Sequence, residues 1–158
     1  MKNFLLFLSL CIGAIQFTFG QEPTADSLNT GPTRKYKFEL TTSKAAISGI
    51  LITQETQNEI VGSMINDFGL SALEFKFNKK TGKIKLLNVA QFLNKWYIKL
   101  VLKKDIAVCI RRLYNLESKE SKNYIILDDS QDLTVVNKKR NLKYQFSPLQ
   151  IQGKEDET

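Results

Sequence analysis

The stretch Lys35-Tyr36-Lys37-Phe38-Glu39-Leu40 sets Tyr36, Phe38 and Leu40 at every second position, with charged residues between them. A period of two puts the rings and the leucine on one side of a β-strand and the charges on the other. Working outward, residues 45–53 are apolar on both sides (Ile47 and Leu51; Ile50 and Ile52), as expected of a central strand. Gln54 to Asn58 reads as a polar turn, and Glu59 to Asn66 returns with Ile60, Val61, Met64 and Ile65. Asp67-Phe68-Gly69 breaks that run, after which Leu73, Phe75 and Phe77 alternate with Glu74 and Lys76. Asn78-Lys79-Lys80-Thr81-Gly82 has the polar residues and closing glycine of a hairpin loop, and residues 83–89 supply a fifth strand. Five strands joined by turns this short form an antiparallel meander, because parallel neighbours need long crossovers.

The period then changes. Trp96, Tyr97, Leu100 and Val101 share one helical stripe, and Lys95, Lys99 and Lys103 recur every fourth residue. A second stripe, Ile106, Cys109, Ile110 and Leu113, points nearly opposite to the first at about 100° per residue. One straight helix would leave one stripe uncovered, so the pattern predicts two helices, 92–102 and 106–115, with Asp105 as N-cap of the second. Strands resume at 124–127, Leu133–Asn137 and 142–146, where Leu142, Tyr144 and Phe146 again alternate with polar residues. The predicted fold is therefore mainly β (α+β). It is a curved antiparallel sheet or unclosed barrel of about eight strands, with a helical pair inserted before the last three, covering one open end or one face.

Composition bounds what such a domain does. The chain has 158 residues and no histidine, which excludes a Ser-His-Asp triad, a Cys-His pair and an imidazole-bound zinc. There is no Gly-rich phosphate loop and no Cys-x-x-Cys, and no cofactor signature is present. Asp128-Asp129-Ser130-Gln131-Asp132 is the densest run of carboxylates. It lacks the glycine and closing glutamate of a calcium loop and reads as a polar hairpin turn, so no metal site is predicted. Glu39 and Glu74 lie on the charged sides of their strands without a motif that pairs them. No catalytic residue emerges, and the expectation is a non-enzymatic protein.

The ends of the chain point to export. Lys2 precedes an apolar run from Phe4 to Ile15, and Thr18-Phe19-Gly20 offers a small-residue cleavage point before Gln21-Glu22-Pro23. That order predicts a signal peptide over residues 1–20 and a periplasmic or secreted destination. Leu10 stands where a lipobox carries a small residue, which argues against lipid anchoring at Cys11. Residues 21–33, with two prolines and a glycine, read as a flexible leader. Residues 34–151 form the domain, and 152–158 form an acidic disordered tail. Cys109 is then the one cysteine left in the mature chain, expected as a small buried hydrophobe.

Charge is concentrated in the middle: residues 76–112 carry eleven bases against Asp105 alone. With Lys95, Trp96, Tyr97, Lys99 and Lys103 on one helix, this block suits an anionic membrane surface or an acidic protein; export argues against nucleic acid. A second candidate site is an apolar pocket for a lipid or other hydrophobic ligand. Tyr36, Phe38, Leu40, Leu73, Phe75, Phe77, Tyr144 and Phe146 would line it, if the helices roof the sheet loosely.

The helical insert opening Asn94-Lys95-Trp96-Tyr97 and the glycine-led strand Gly69-Leu70-Ser71-Ala72-Leu73-Glu74-Phe75 resemble the lipoprotein carrier and receptor proteins of bacterial envelopes. The resemblance spans most of the domain as a pattern and transfers no functional residue. It implies an unclosed barrel with helices over a lipid-binding cavity, carrying acyl chains without catalysis.

Overall fold

The structure, a computed structural model, describes residues 31–117, 122–129 and 132–149. The expected signal peptide, the leader up to residue 30 and the acidic tail lie outside the described residues. Eight strands form one antiparallel sheet. They are β1 (Thr33–Thr41), β2 (Ala46–Glu55), β3 (Glu59–Asn66), β4 (Ser71–Asn78), β5 (Ile84–Val89), β6 (Tyr124–Asp128), β7 (Leu133–Asn137) and β8 (Leu142–Pro148). Their spatial order is β5-β4-β3-β2-β1-β8-β7-β6, so β5 and β6 are the two edges of an unclosed sheet. Thr33, placed in the leader by composition, is already the first residue of β1, and the Gly31 N–H donates to the Glu55 carbonyl at 2.7 Å.

The alternation seen in sequence becomes the two sides of this sheet. Register sets Phe38 opposite Phe146, Leu40 opposite Tyr144, Leu51 opposite Met64 and Met64 opposite Leu73. All point to one side. Gly62 is required there: the buried Phe75 ring lies directly over it, where a Cβ would overlap the ring. On the outer side Lys76 of β4 pairs with Glu59 of β3 at 3.6 Å, and Lys79, just past the end of β4, pairs with Glu55 at 2.6 Å. The β4–β5 loop has the expected form. Gly82 takes φ +64°, and the Thr81 N–H donates to Asn78 Oδ1 at 2.8 Å.

The predicted helical pair is instead a 3₁₀ turn, Gln91–Leu93, followed by one continuous helix α1, Trp96–Leu113. Asp105 is not an N-cap but sits mid-helix with no solvent exposure. The two opposed stripes explain the difference. The second stripe and its flank (Leu102, Ile106, Cys109, Ile110) pack on the sheet, while Trp96, Tyr97 and Leu100 of the first stay exposed. A helix need bury only one side, so nothing forces a break.

Helix α1 also explains why the sheet curls. Arg111 donates to the Gly82 carbonyl beside β5 at 2.7 Å, while Asp105 accepts from Tyr124 on β6 at 2.7 Å. Strands spaced about 4.8 Å apart would put those edges more than ~30 Å apart in a flat sheet. One helix reaches both because the sheet wraps around it.

Candidate functional site

The residues expected to line an apolar pocket are brought together, but as solid core. Tyr36, Phe38, Leu73, Phe75, Phe77, Tyr144 and Phe146 are buried and Leu40 packs half-buried against them. The space between them and α1, bounded by Phe38, Leu73, Leu102, Ile106 and Tyr144, is about 20 Å³. That is room for about one water, not for an acyl chain. Leu102, Ile106 and Ile110 fill what the sequence left open. The arrangement is close-packed, as interiors normally are.

The residues expected at a surface are at the surface. Trp96 is 72 % exposed, and its ring meets Tyr97 edge-on with centroids 5.9 Å apart. Lys95 and Lys103 are exposed and Lys99 is half-buried. Phe92 and Leu100 extend this apolar surface. The end of β5 is tied to the start of β4 by the Ala90 N–H to the Ala72 carbonyl at 3.0 Å. The β3–β4 turn lies at that same end and adds Phe68, 88 % exposed, and Leu70. Antiparallel register also sends the β7–β8 turn, Lys138 to Asn141, to this end of the sheet.

Two features escaped the sequence. The first is the Asp105 cluster. Its carboxylate accepts from Tyr124 Oη at 2.7 Å, Tyr144 Oη at 2.9 Å, and Asn137 Nδ2 at 2.9 and 3.2 Å. These donors come from β6, β7 and β8, so the cluster docks α1 on the last three strands. Burial first, and the neighbouring carboxylate second, push the Tyr144 hydroxyl well above its usual range; Tyr124 moves the same way for the same reasons. Both phenols therefore stay protonated as donors. Cys109, fully buried one turn further on, has its thiol raised by burial and then by Asp105, so it packs as a neutral small hydrophobe. The sequence signal was the single acid inside an eleven-base block and next to a buried stripe. It fits an N-cap equally well until the donors on distant strands are seen.

The second feature is a cleft of about 250 Å³ beside that cluster, with Lys104, Lys139, Arg140, Leu100 and Tyr124 around it and Asp105 and Asn137 at its base. The cations come from two elements far apart in the chain. A wider depression of about 520 Å³ lies over α1 between Ile84 of β5 and Tyr124 of β6, past Lys83, Lys103 and Arg111. Among the described residues no group of three His, Cys, Asp or Glu side chains converges as a metal site. Of the Asp128–Asp132 run, residues 130 and 131 lie outside the described residues, and the expected turn is seen only at its flanks. The Asp132 N–H donates to Asp129 Oδ1 at 3.0 Å.

The basic block thus divides in space. Lys76 on β4 and Lys79 just past it pair with Glu59 and Glu55, whereas Lys95, Lys99, Lys103 and Lys104 form no ion pair among the described residues. Neither a protein-family model nor a curated protein matches the chain. No described helix is long and apolar enough to cross a membrane.

Proposed function

We propose that this protein is an exported, non-enzymatic binding domain that attaches to an anionic lipid surface at the bacterial envelope through the first turns of α1. The observation that carries this reading is the stripe Trp96, Tyr97 and Leu100, left open to solvent beside lysines that form no ion pair among the described residues, while the second stripe, Ile106, Cys109 and Ile110, is buried. Tryptophan and tyrosine suit the headgroup region because the ring is apolar and its N–H or O–H stays hydrated. Each lysine near an anionic leaflet contributes about 1 kcal/mol. Lys95, Lys99 and Lys103 together favour an anionic over a neutral surface by about 3 kcal/mol, roughly 150-fold. Lipid is bound here as a surface rather than as an extracted chain, because the space between the aromatic strand side and α1, bounded by Phe38, Leu102 and Tyr144, is about 20 Å³.

Co-sedimentation tests the reading with vesicles of phosphatidylglycerol mixed into phosphatidylcholine and with phosphatidylcholine alone. Binding is expected only to the anionic vesicles, weakening steeply between low and physiological salt. It should fall at least tenfold in W96A/Y97A. Equal binding to both vesicle types, or none, overturns it. Salt-sensitive capture of an acidic protein without vesicle binding would assign the same lysines to a protein partner.

A further inference from the structure

We infer that the cleft between α1 and the β7–β8 turn binds a glycerol phosphate group, the head of an anionic phospholipid held while the Trp96 end rests on the lipid surface. This rests on the docking reading above and assigns it a ligand group and a second set of residues. Three observations converge. Lys104, Lys139 and Arg140 surround a cleft of about 250 Å³, and none of them forms an ion pair among the described residues, unlike Arg34, Lys76 and Lys79. The turn that carries two of them is held in place. The Lys138 N–H donates to the Asn123 carbonyl at 2.9 Å and the Arg140 N–H to the Asn137 carbonyl at 3.2 Å. Three cations around one cleft repel a metal ion and suit a phosphate, whose oxygens accept several charge-assisted bonds at once.

The base of the cleft selects for more than charge. Asn137 is only 6 % exposed and its Nδ2 is engaged by Asp105, which fixes the amide orientation. Its Oδ1 then has no donor and is itself closed to solvent, although Asn137 as a residue borders the cleft. A buried acceptor without a donor is unfavourable, so once a shift of the Asn137 side chain opens Oδ1 to the cleft, a ligand that brings a hydroxyl gains over one that brings only anionic oxygens. A phosphate ester of a polyol supplies both. Leu100 belongs both to the cleft and to the exposed stripe, so the phosphate site and the lipid-facing surface are continuous.

The experiment uses the intact protein and two probes: sn-glycerol 3-phosphate against inorganic phosphate, followed by amide NMR shifts, and phosphatidylglycerol vesicles by co-sedimentation. The variants are K139Q/R140Q, on an exposed turn, and W96A/Y97A, each checked for an unchanged melting curve. Glycerol phosphate is expected to shift Lys104, Asn137, Lys139 and Arg140 and to bind more tightly than inorganic phosphate. K139Q/R140Q should weaken glycerol phosphate binding about 25-fold, about fivefold per cation, and weaken vesicle binding too. W96A/Y97A should weaken vesicle binding alone. No shift with glycerol phosphate, together with vesicle binding indifferent to K139Q/R140Q, overturns the cleft while leaving the docking surface standing. Glycerol phosphate bound in the cleft without any vesicle binding identifies a free phosphate ester as the source and overturns the docking reading. Equal affinity for inorganic phosphate removes the role given to Asn137.

Discussion

Replacing Asp105 by alanine tests the packing of α1 most directly. The substitution removes an acceptor that four hydrogen bonds reach, from Tyr124, Tyr144 and Asn137. Each buried donor left without an acceptor costs about 1–3 kcal/mol. Tyr144 is 1 % exposed and Asn137 6 %, so both are stranded, whereas half-buried Tyr124 turns to water at little cost. Two stranded donors give about 2–6 kcal/mol, and relief of the carboxylate's own desolvation returns part of it. The expected net loss is about 3 kcal/mol, a large share of the stability of a domain this size. Urea unfolding should be followed by far-UV circular dichroism, because exposed Trp96 barely changes environment on unfolding. Tyr144→Phe should cost about 1.5 kcal/mol by itself. The double variant Asp105→Ala/Tyr144→Phe should lose less than the sum of the two by at least about 1 kcal/mol. A loss below about 1 kcal/mol for Asp105→Ala, or strict additivity in the double variant, would refute the cluster as the lock between helix and sheet.

Stability should also depend on alkaline pH. Cys109 and Tyr144 are both held neutral in the fold, so the unfolded chain ionises first, past 9.0 for the thiol and 10.0 for the phenol. Their contribution is complete below pH 9 and falls above those values, by about 1.4 kcal/mol per pH unit for each group while that group stays neutral in the fold. Urea midpoints measured from pH 8 to 11 check this, and a flat profile contradicts it. Gly62→Ala should lower stability by about 2 kcal/mol, because the new methyl meets the fully buried Phe75 ring; thermal melting reads it, and an unchanged midpoint would show the ring free to move. The Cys109 thiol should react with a thiol reagent only at the rate of unfolding, so fast labelling of the native protein would contradict its burial. W96A/Y97A should stay within about 0.5 kcal/mol of the parent, since those rings touch little of the core.

The amino-acid order by itself determined the strands, their antiparallel pairing within each meander and the side each residue faces. Alternation in Lys35 to Leu40 or Leu142 to Phe146 belongs to consecutive residues, and a short turn such as Asn78 to Gly82 leaves one way for the chain to return. Three things were decided only in three dimensions. The helical stripes of 96–101 and 106–113 look equally apolar in sequence, and only the sheet's position determines which one is buried. Asp105 has the composition of a cap until β6, β7 and β8 deliver three donors to it from residues 19 to 39 positions away. Lys104 meets Lys139 and Arg140 because β8 pairs with β1 and brings the β7–β8 turn back to the helix. Whether aromatic strand faces enclose a cavity or a solid core depends on the volume left between sheet and helix, and that volume is set by contacts between segments distant in the chain, which local periodicity does not encode.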